Sequence, residues 1–235
     1  YNPLVAHLIM TTVERQAASC LPRVADALEA MIASGRLVRR VLTDVEDDEE
    51  TGFETEEVEI PPDLLDEARR LYQQARSLPD EDPKREELLK IVRETMADRS
   101  CPGKVLVFSF FLTTLTYLHE ALSREGVRVA LVNGRVPEEE RQRLRARFRL
   151  DRAQPNALDV LLSSEVGCEG LDYEFCDRLV NYDIPWNPMR VEQRIGRIDR
   201  FGQKAPKVLI FNFVTPGTIE ERVFTVAEAA AATEA

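Results

Sequence analysis

The stretch KVLVFSFFLTTLTYLHEALSREGVRVALVNGRV, Lys104 to Val136, decides the fold. Val105 to Phe108 is a continuous apolar run of strand length, Leu112 to Arg124 repeats its apolar residues at helical spacing, and Val127 to Val132 is apolar again. The alternation continues downstream. A helix is expected over Pro137 to Leu150, strands over Val160 to Ser163 and Leu179 to Tyr182, a helix over Met189 to Arg200, a strand over Val208 to Val214, and a last helix from Thr218 into an alanine-rich tail. Short apolar runs separated by helices predict strands buried on both faces. Residues 101–235 therefore read as an α/β lobe with a doubly wound parallel sheet. Ligands of such sheets bind beyond the carboxyl ends of the strands, which directs attention to the loops after Phe108, Val132, Ser163 and Asp183.

Upstream, residues 1–100 read as a helical extension. Val24, Leu28, Met31 and Ile32 recur at helical spacing before Gly35, within a stretch, Tyr1 to Arg40, that reads as helical. Pro61-Pro62 restarts the chain; Leu64, Leu65, Ala68, Leu71 and Tyr72 mark one helix, and Leu88, Leu89, Val92 and Met96 another, both expected to pack beside the lobe. Between them lies Asp44 to Glu59, with ten acids and no Lys or Arg, which predicts a flexible insert. The net charge of −11 is concentrated in this half: residues 1–100 carry 13 basic and 23 acidic side chains, residues 101–235 carry 18 and 19. The acidic balance thus does not exclude a nucleic-acid partner for the second half. The insert could also fold over a basic groove and compete with DNA. No apolar run is long enough to span a bilayer, so no membrane partner is expected. Cys20, Cys101, Cys168 and Cys176 lack metal-ligand spacing and read as small hydrophobes of a reduced protein, with no metal site.

The most specific stretch is QRIGRIDR, Gln193 to Arg200. On a helix Gln193, Arg197 and Arg200 share one face, while Val191, Ile195 and Ile198 lie opposite and would pack on the sheet. Spacing alone allows a plain amphipathic helix with solvated arginines. It favours that plain reading, although the same face would also suit two guanidinium forks aimed at phosphate oxygens. Arg141, Arg143, Arg145, Arg147 and Arg149 recur two apart and so point in different directions on their helix. They read as a solvated face paired with Glu138 to Glu140, in preference to a DNA patch.

QRIGRIDR resembles the sixth motif of superfamily-two helicases. LLSSEVGCEGLD, Leu161 to Asp172, resembles the fifth, KVLVFSFF the fourth, LVNGRV the strand and turn after it, and NYDIPWNP, Asn181 to Pro188, the segment between the fifth and sixth in SWI/SNF-type ATPases. HLIMTTVERQAASCLPRV and DPKREELL look like the connector preceding this lobe in prokaryotic members, so the likeness runs from about His7 to Phe224. The resemblance implies a RecA-like C-terminal helicase lobe. Arg197 and Arg200 would be catalytic arginine fingers on the triphosphate, with Gln193 in their network. Gly170 and Asp172 would line the nucleotide cleft, Asp172 near the ribose hydroxyls or these arginines. Ser163 and Ser164, and more weakly Ser109, Asn133 and Gly134, would meet a nucleic-acid backbone; Trp186 and Asn187 sit in the PWNP corner, where Trp186 could equally be a packing residue. The implied cofactor is ATP with Mg2+, and the implied partners are double-stranded DNA, an N-terminal RecA-like lobe of the same polypeptide and a DNA-bound protein complex. The implied location is the cytoplasm, at the nucleoid. The fifth motif reads Glu-Gly-Leu-Asp where chromatin remodellers have Gly-x-Gly-Ile-Asn-Leu, which favours a prokaryotic member over a nucleosomal enzyme.

A phosphate-binding loop needs G-x-x-x-x-G-K-[ST]. The Gly103-Lys104 pair precedes Val105 and has no glycine five residues earlier. These residues alone are therefore expected to hydrolyse ATP negligibly, the chain reading as a cut from a longer polypeptide. The alternative is a degenerate lobe that binds nucleic acid or protein without an ATP cycle.

Overall fold

The computed structural model describes residues 3–37, 58–78, 81–185, 187–222 and 224–225. Contacts divide the chain into two compact units between Asp82 and Pro83, where the sequence suggested 100/101.

In the first unit, α1 (Pro3–Ser19) and α2 (Leu21–Ser34) replace the single helical stretch expected to Arg40. Pro22, in the first turn of α2, lacks the amide that a continuous helix would need there. Two short strands, β1 (Arg36–Leu37) and β2 (Val58–Glu59), pair antiparallel and flank the acidic run. The insert itself otherwise lies outside the described residues. Helix α3 (Pro62–Arg76) completes a small core of Val24, Leu28, Met31, Ile60 and Ala68.

The second unit opens with α4 (Pro83–Ala97), then β3 (Val105–Phe108), α5 (Leu112–Arg124), β4 (Val129–Val132), α6 (Glu138–Arg149), β5 (Val160–Ser163), β6 (Arg178–Asn181), α7 (Pro188–Ile195) and β7 (Leu209–Asn212). The strands form a five-stranded sheet in the order β4-β5-β3-β6-β7, parallel at every pairing. The first strand lies in the middle: the chain passes from β3 out to β4, returns to β5, and then crosses β3 to reach β6 and β7 on the other side, a doubly wound arrangement. Side chains alternate faces along each strand. Val105, Val107, Val160, Leu162 and Val180 join the core under α4 and α5; Leu106, Phe108, Leu161 and Leu179 join the one with Leu144, Phe148 and Ile198.

Helix α4 belongs to this unit because of what it buries. Leu88 and Val92 are fully enclosed against the sheet, each burial worth about 1.5–3 kcal/mol. On α6, Leu144 and Phe148 are buried and Arg143 pairs with Glu139 and Glu140 in solvent, as expected. Arg145 departs from a solvated face: its Nε donates to the Asp172 carbonyl at 2.5 Å and its guanidinium pairs with Glu174. Burial pushes the Cys168 thiol up to about 11 and the Cys176 thiol up to about 12, consistent with their reading as small hydrophobes. No helix among the described residues is long and apolar enough to cross a membrane, and no three His, Cys, Asp or Glu side chains among them are grouped to hold a metal.

Candidate functional site

Three loops at the carboxyl edge of the sheet and the turn after α7 hold the chemistry. Beyond β5 the chain makes a short 3₁₀ turn, Val166–Cys168, and then a sharp bend at Gly170 (φ 69°), a left-handed conformation that disfavours other residues. The bend presents Asp172, whose carbonyl is held from α6 by Arg145. The Asp172 carboxylate pairs with the Arg200 guanidinium, both partly exposed. Asp172 and Arg200, which the resemblance places at one cleft, are thus brought together, with Gly170 two residues before Asp172 in the chain. Asp172, Arg200 and the fully exposed Phe201 edge a groove of about 1150 Å³ whose far wall, Lys104, Asp177, Arg178 and Leu209, lies at the starts of β3, β6 and β7, the amino edge of the sheet.

The regular helix expected through Gln193, Arg197 and Arg200 is shorter than the sequence suggested, although Asp199 N still donates to Ile195 O at 2.8 Å. Helix α7 stops at Ile195, and Gly196 leads into a turn where Arg197 N donates to Arg194 O at 3.1 Å and Ile198 N to Ile195 O at 2.9 Å. The turn is pinned by burial of Ile198 and by Tyr173 N donating to Arg197 O at 2.7 Å. Gln193 is exposed on the last turn of the helix, and Arg197 and Arg200 project from the turn beyond it. Arg197 is half-buried, and its charge opposes the effect of burial on Cys168 and Tyr173. No carboxylate among the described residues pairs with it.

The hydroxyls singled out for a nucleic-acid groove sit at the expected edge but are turned inward. Ser163 and Ser164 are buried; Ser163 Oγ donates to Ser164 O at 2.8 Å, and Ser164 Oγ accepts from Gly167 N at 3.1 Å. Ser109, also buried, donates to Asp183 Oδ2 at 2.5 Å while Phe110 N donates to Asp183 Oδ1 at 2.9 Å. All three oxygens are paired within or between the loops at this edge, as buried hydroxyls usually are. Gly134 is exposed on the turn after β4, beside the half-exposed Asn133, whose Oδ1 accepts from Arg135 N at 2.9 Å. Asn187 caps α7 by accepting from Met189 N at 3.0 Å. Trp186 lies outside the described residues.

Sequence reasoning missed Arg194, Glu165 and Asp183. Arg194 is 1% exposed; its Nε donates to Glu165 Oε1 at 2.6 Å and its Nη1 to Asn181 Oδ1 at 2.8 Å and Asp183 O at 3.1 Å. All three lie inside quoted motifs, but a charge within a motif reads as surface chemistry until its burial is known.

Among known proteins, the sequence profile of the helicase conserved C-terminal domain matches residues 83–202. The uncharacterised ATP-dependent helicase YqhH of Bacillus subtilis is 38% identical over 120 residues, covering 51% of this chain and 20% of that protein. The RNA polymerase-associated protein RapA of Vibrio campbellii is 39% identical over 118 residues, covering 50% and 11%. The chain thus spans no more than a fifth of these relatives. Two solved structures share the fold: the C-terminal part of the Fun30 ATPase domain (TM-score 0.56, 23% identity, 70% of this chain and 52% of that one) and the helicase domain of Pyrococcus furiosus Hef (0.53, 22%, 87% and 38%).

Proposed function

The chain belongs to the helicase conserved C-terminal domain family, and from that premise we propose that it is the second, RecA-like motor lobe of an ATP-dependent DNA translocase of the SWI/SNF type. The observation that carries this is Arg197, a half-buried guanidinium with no carboxylate partner among the described residues, one turn from Arg200. An uncompensated cation held in a fixed turn is suited to an anion arriving from outside. In the proposed mechanism a second RecA-like lobe of the same polypeptide grips the triphosphate and its Mg2+. Closure brings Arg197 and Arg200 onto the phosphate oxygens, where they neutralise the charge that grows in the transition state. Gln193 orients the phosphate or water beside them. Asp172 releases Arg200 and takes the ribose hydroxyls, with Gly170 giving the bend that room.

Asn133 and Gly134, with the loop after β5, meet the DNA backbone, and Ser109, Ser163 and Ser164 hold those loops from within. Trp186 and Asn187 are assigned to the same backbone contact from their place in the PWNP motif. Backbone contact ignores sequence, as tracking along a duplex requires. The relatives named for association with RNA polymerase support a DNA-bound protein complex as partner, and the bacterial relatives support a cytoplasmic, nucleoid location. The isolated chain is expected to be inactive. The test is DNA-stimulated ATPase of the full-length polypeptide carrying Arg197→Ala or Arg200→Ala, with DNA affinity measured in parallel. A fall of about a hundredfold or more with DNA binding intact supports the motor; full activity in both variants would favour a binding module without an ATP cycle.

A further inference from the structure

We propose that Arg194 is a positioning residue that ties the turn bearing Arg197 and Arg200 to the loops after β3, β5 and β6, so that DNA contact and placement of the arginines change together. The inference rests on the motor reading above. Its basis is a guanidinium in an unusual place. Arginine is almost never fully buried unless paired, and Arg194 is 1% exposed. Its side chain reaches Glu165 just past β5, and Asn181 and Asp183 at the end of β6. Its plane lies 5.1 Å from the Phe108 ring and 5.6 Å from the Phe110 ring, at the end of β3. Its backbone carbonyl accepts from Arg197 N, starting the turn that presents the arginines.

One residue therefore joins three loop bases through its side chain and the arginine turn through its main chain. The string extends further, because the Asp183 carboxylate also holds Ser109 Oγ and Phe110 N. Stability does not call for this arrangement. A well-packed apolar group in place of a buried ion pair is often neutral or stabilising. What the guanidinium adds is a fixed, planar set of donors that moves these loops as one body. A lysine ammonium, a flexible point charge, cannot reproduce that fork.

The test uses the full-length polypeptide and the variants Arg194→Lys and Glu165→Gln, the latter keeping side-chain shape if the former fails to fold. Measured quantities are kcat and KM for ATP at saturating duplex DNA, DNA affinity, and melting temperature. The expected result is a fall in DNA-stimulated kcat of about tenfold or more, within the 5- to 150-fold typical of coupling between sites, with KM and DNA affinity within about threefold of wild type. Unchanged kcat in a folded variant overturns the proposal. So does a parallel loss of kcat, DNA affinity and melting temperature, which marks a purely structural residue. Absence of DNA-stimulated ATPase in the wild type would instead defeat the motor reading, before the variants are compared.

Discussion

Gly167 is the position where a single methyl group should do most damage to the edge of the sheet. A Cβ there would lie 2.5 Å from the Val132 carbonyl oxygen, 2.7 Å from its carbon and 2.9 Å from Ser163 Oγ, where ordinary contact begins at 3.4 Å. The obstacle cannot swing aside. Val132 ends β4, is paired in register with Ser163, and its oxygen accepts from Ser164 N at 3.1 Å. Relief therefore requires the 3₁₀ turn to back away by about 0.9 Å, loosening the Gly167 N to Ser164 Oγ bond. Overpacking of this kind costs about 1–3 kcal/mol and a lost hydrogen bond about 1 more, so Gly167→Ala should destabilise by about 2–4 kcal/mol. The control is Gly196→Ala. Its Cβ would make only ordinary contacts, with Glu192 O at 3.4 Å and Gln193 O at 3.6 Å, and its φ of −60° suits any residue, so the change should be neutral or stabilise by up to about 1 kcal/mol. Urea unfolding followed by far-ultraviolet circular dichroism compares the two. Gly167→Ala within about 0.5 kcal/mol of wild type, or equal costs at both glycines, would refute the reasoning.

Two charged positions give further tests. Burial pushes the Asp159 carboxyl up, but hydrogen bonds and charge from Arg128 and Arg152 outweigh it and hold the group below the usual carboxylate range. Its contribution is present above the unfolded value of about 3.9 and lost as pH falls through the lowered folded value. Asp159→Asn should cost about 3–5 kcal/mol at neutral pH and flatten the acid limb of a stability-against-pH curve. Glu220, 5% exposed and paired with Lys84 at 2.9 Å, has its carboxyl raised by burial in spite of that lysine. Lys84→Met leaves a buried, uncompensated carboxylate, so melting temperature should fall at pH 7 and the deficit should shrink as acid protonates Glu220. A deficit independent of pH would show that Lys84 acts through packing alone.

The sheet was legible because its strands are buried on both faces and read as unbroken apolar runs; β3, β5 and β6 fall within a residue of their expected limits. The helix through QRIGRIDR was read too long because Ile195 and Ile198 keep helical spacing across Gly196, and spacing cannot reveal that Tyr173 captures the Arg197 carbonyl from another loop. Val191 and Ile195 are only half-buried, while the charged Arg194 between them is the enclosed residue. Its partners lie 11 to 29 residues away in the chain, a separation over which local pattern carries no information. The same holds for Ser109, whose hydroxyl looked available until Asp183, 74 residues on, was found against it. Helix α4 was assigned to the extension because the alternation of strands and helices begins only at Lys104, whereas its buried face, Leu88 to Val92, follows the sheet.

The central claim is that Arg197 acts on the phosphate during hydrolysis, and single-turnover ATP hydrolysis by the full-length polypeptide tests it most directly. With DNA saturating, Arg197→Ala should slow the hydrolysis step by about 10³- to 10⁵-fold while the dissociation constant for ATP stays within a few-fold, and Arg197→Lys should recover little of the loss. A hydrolysis step in Arg197→Ala as fast as in the wild type would contradict the claim and leave Arg197 as a half-buried arginine with no part in hydrolysis.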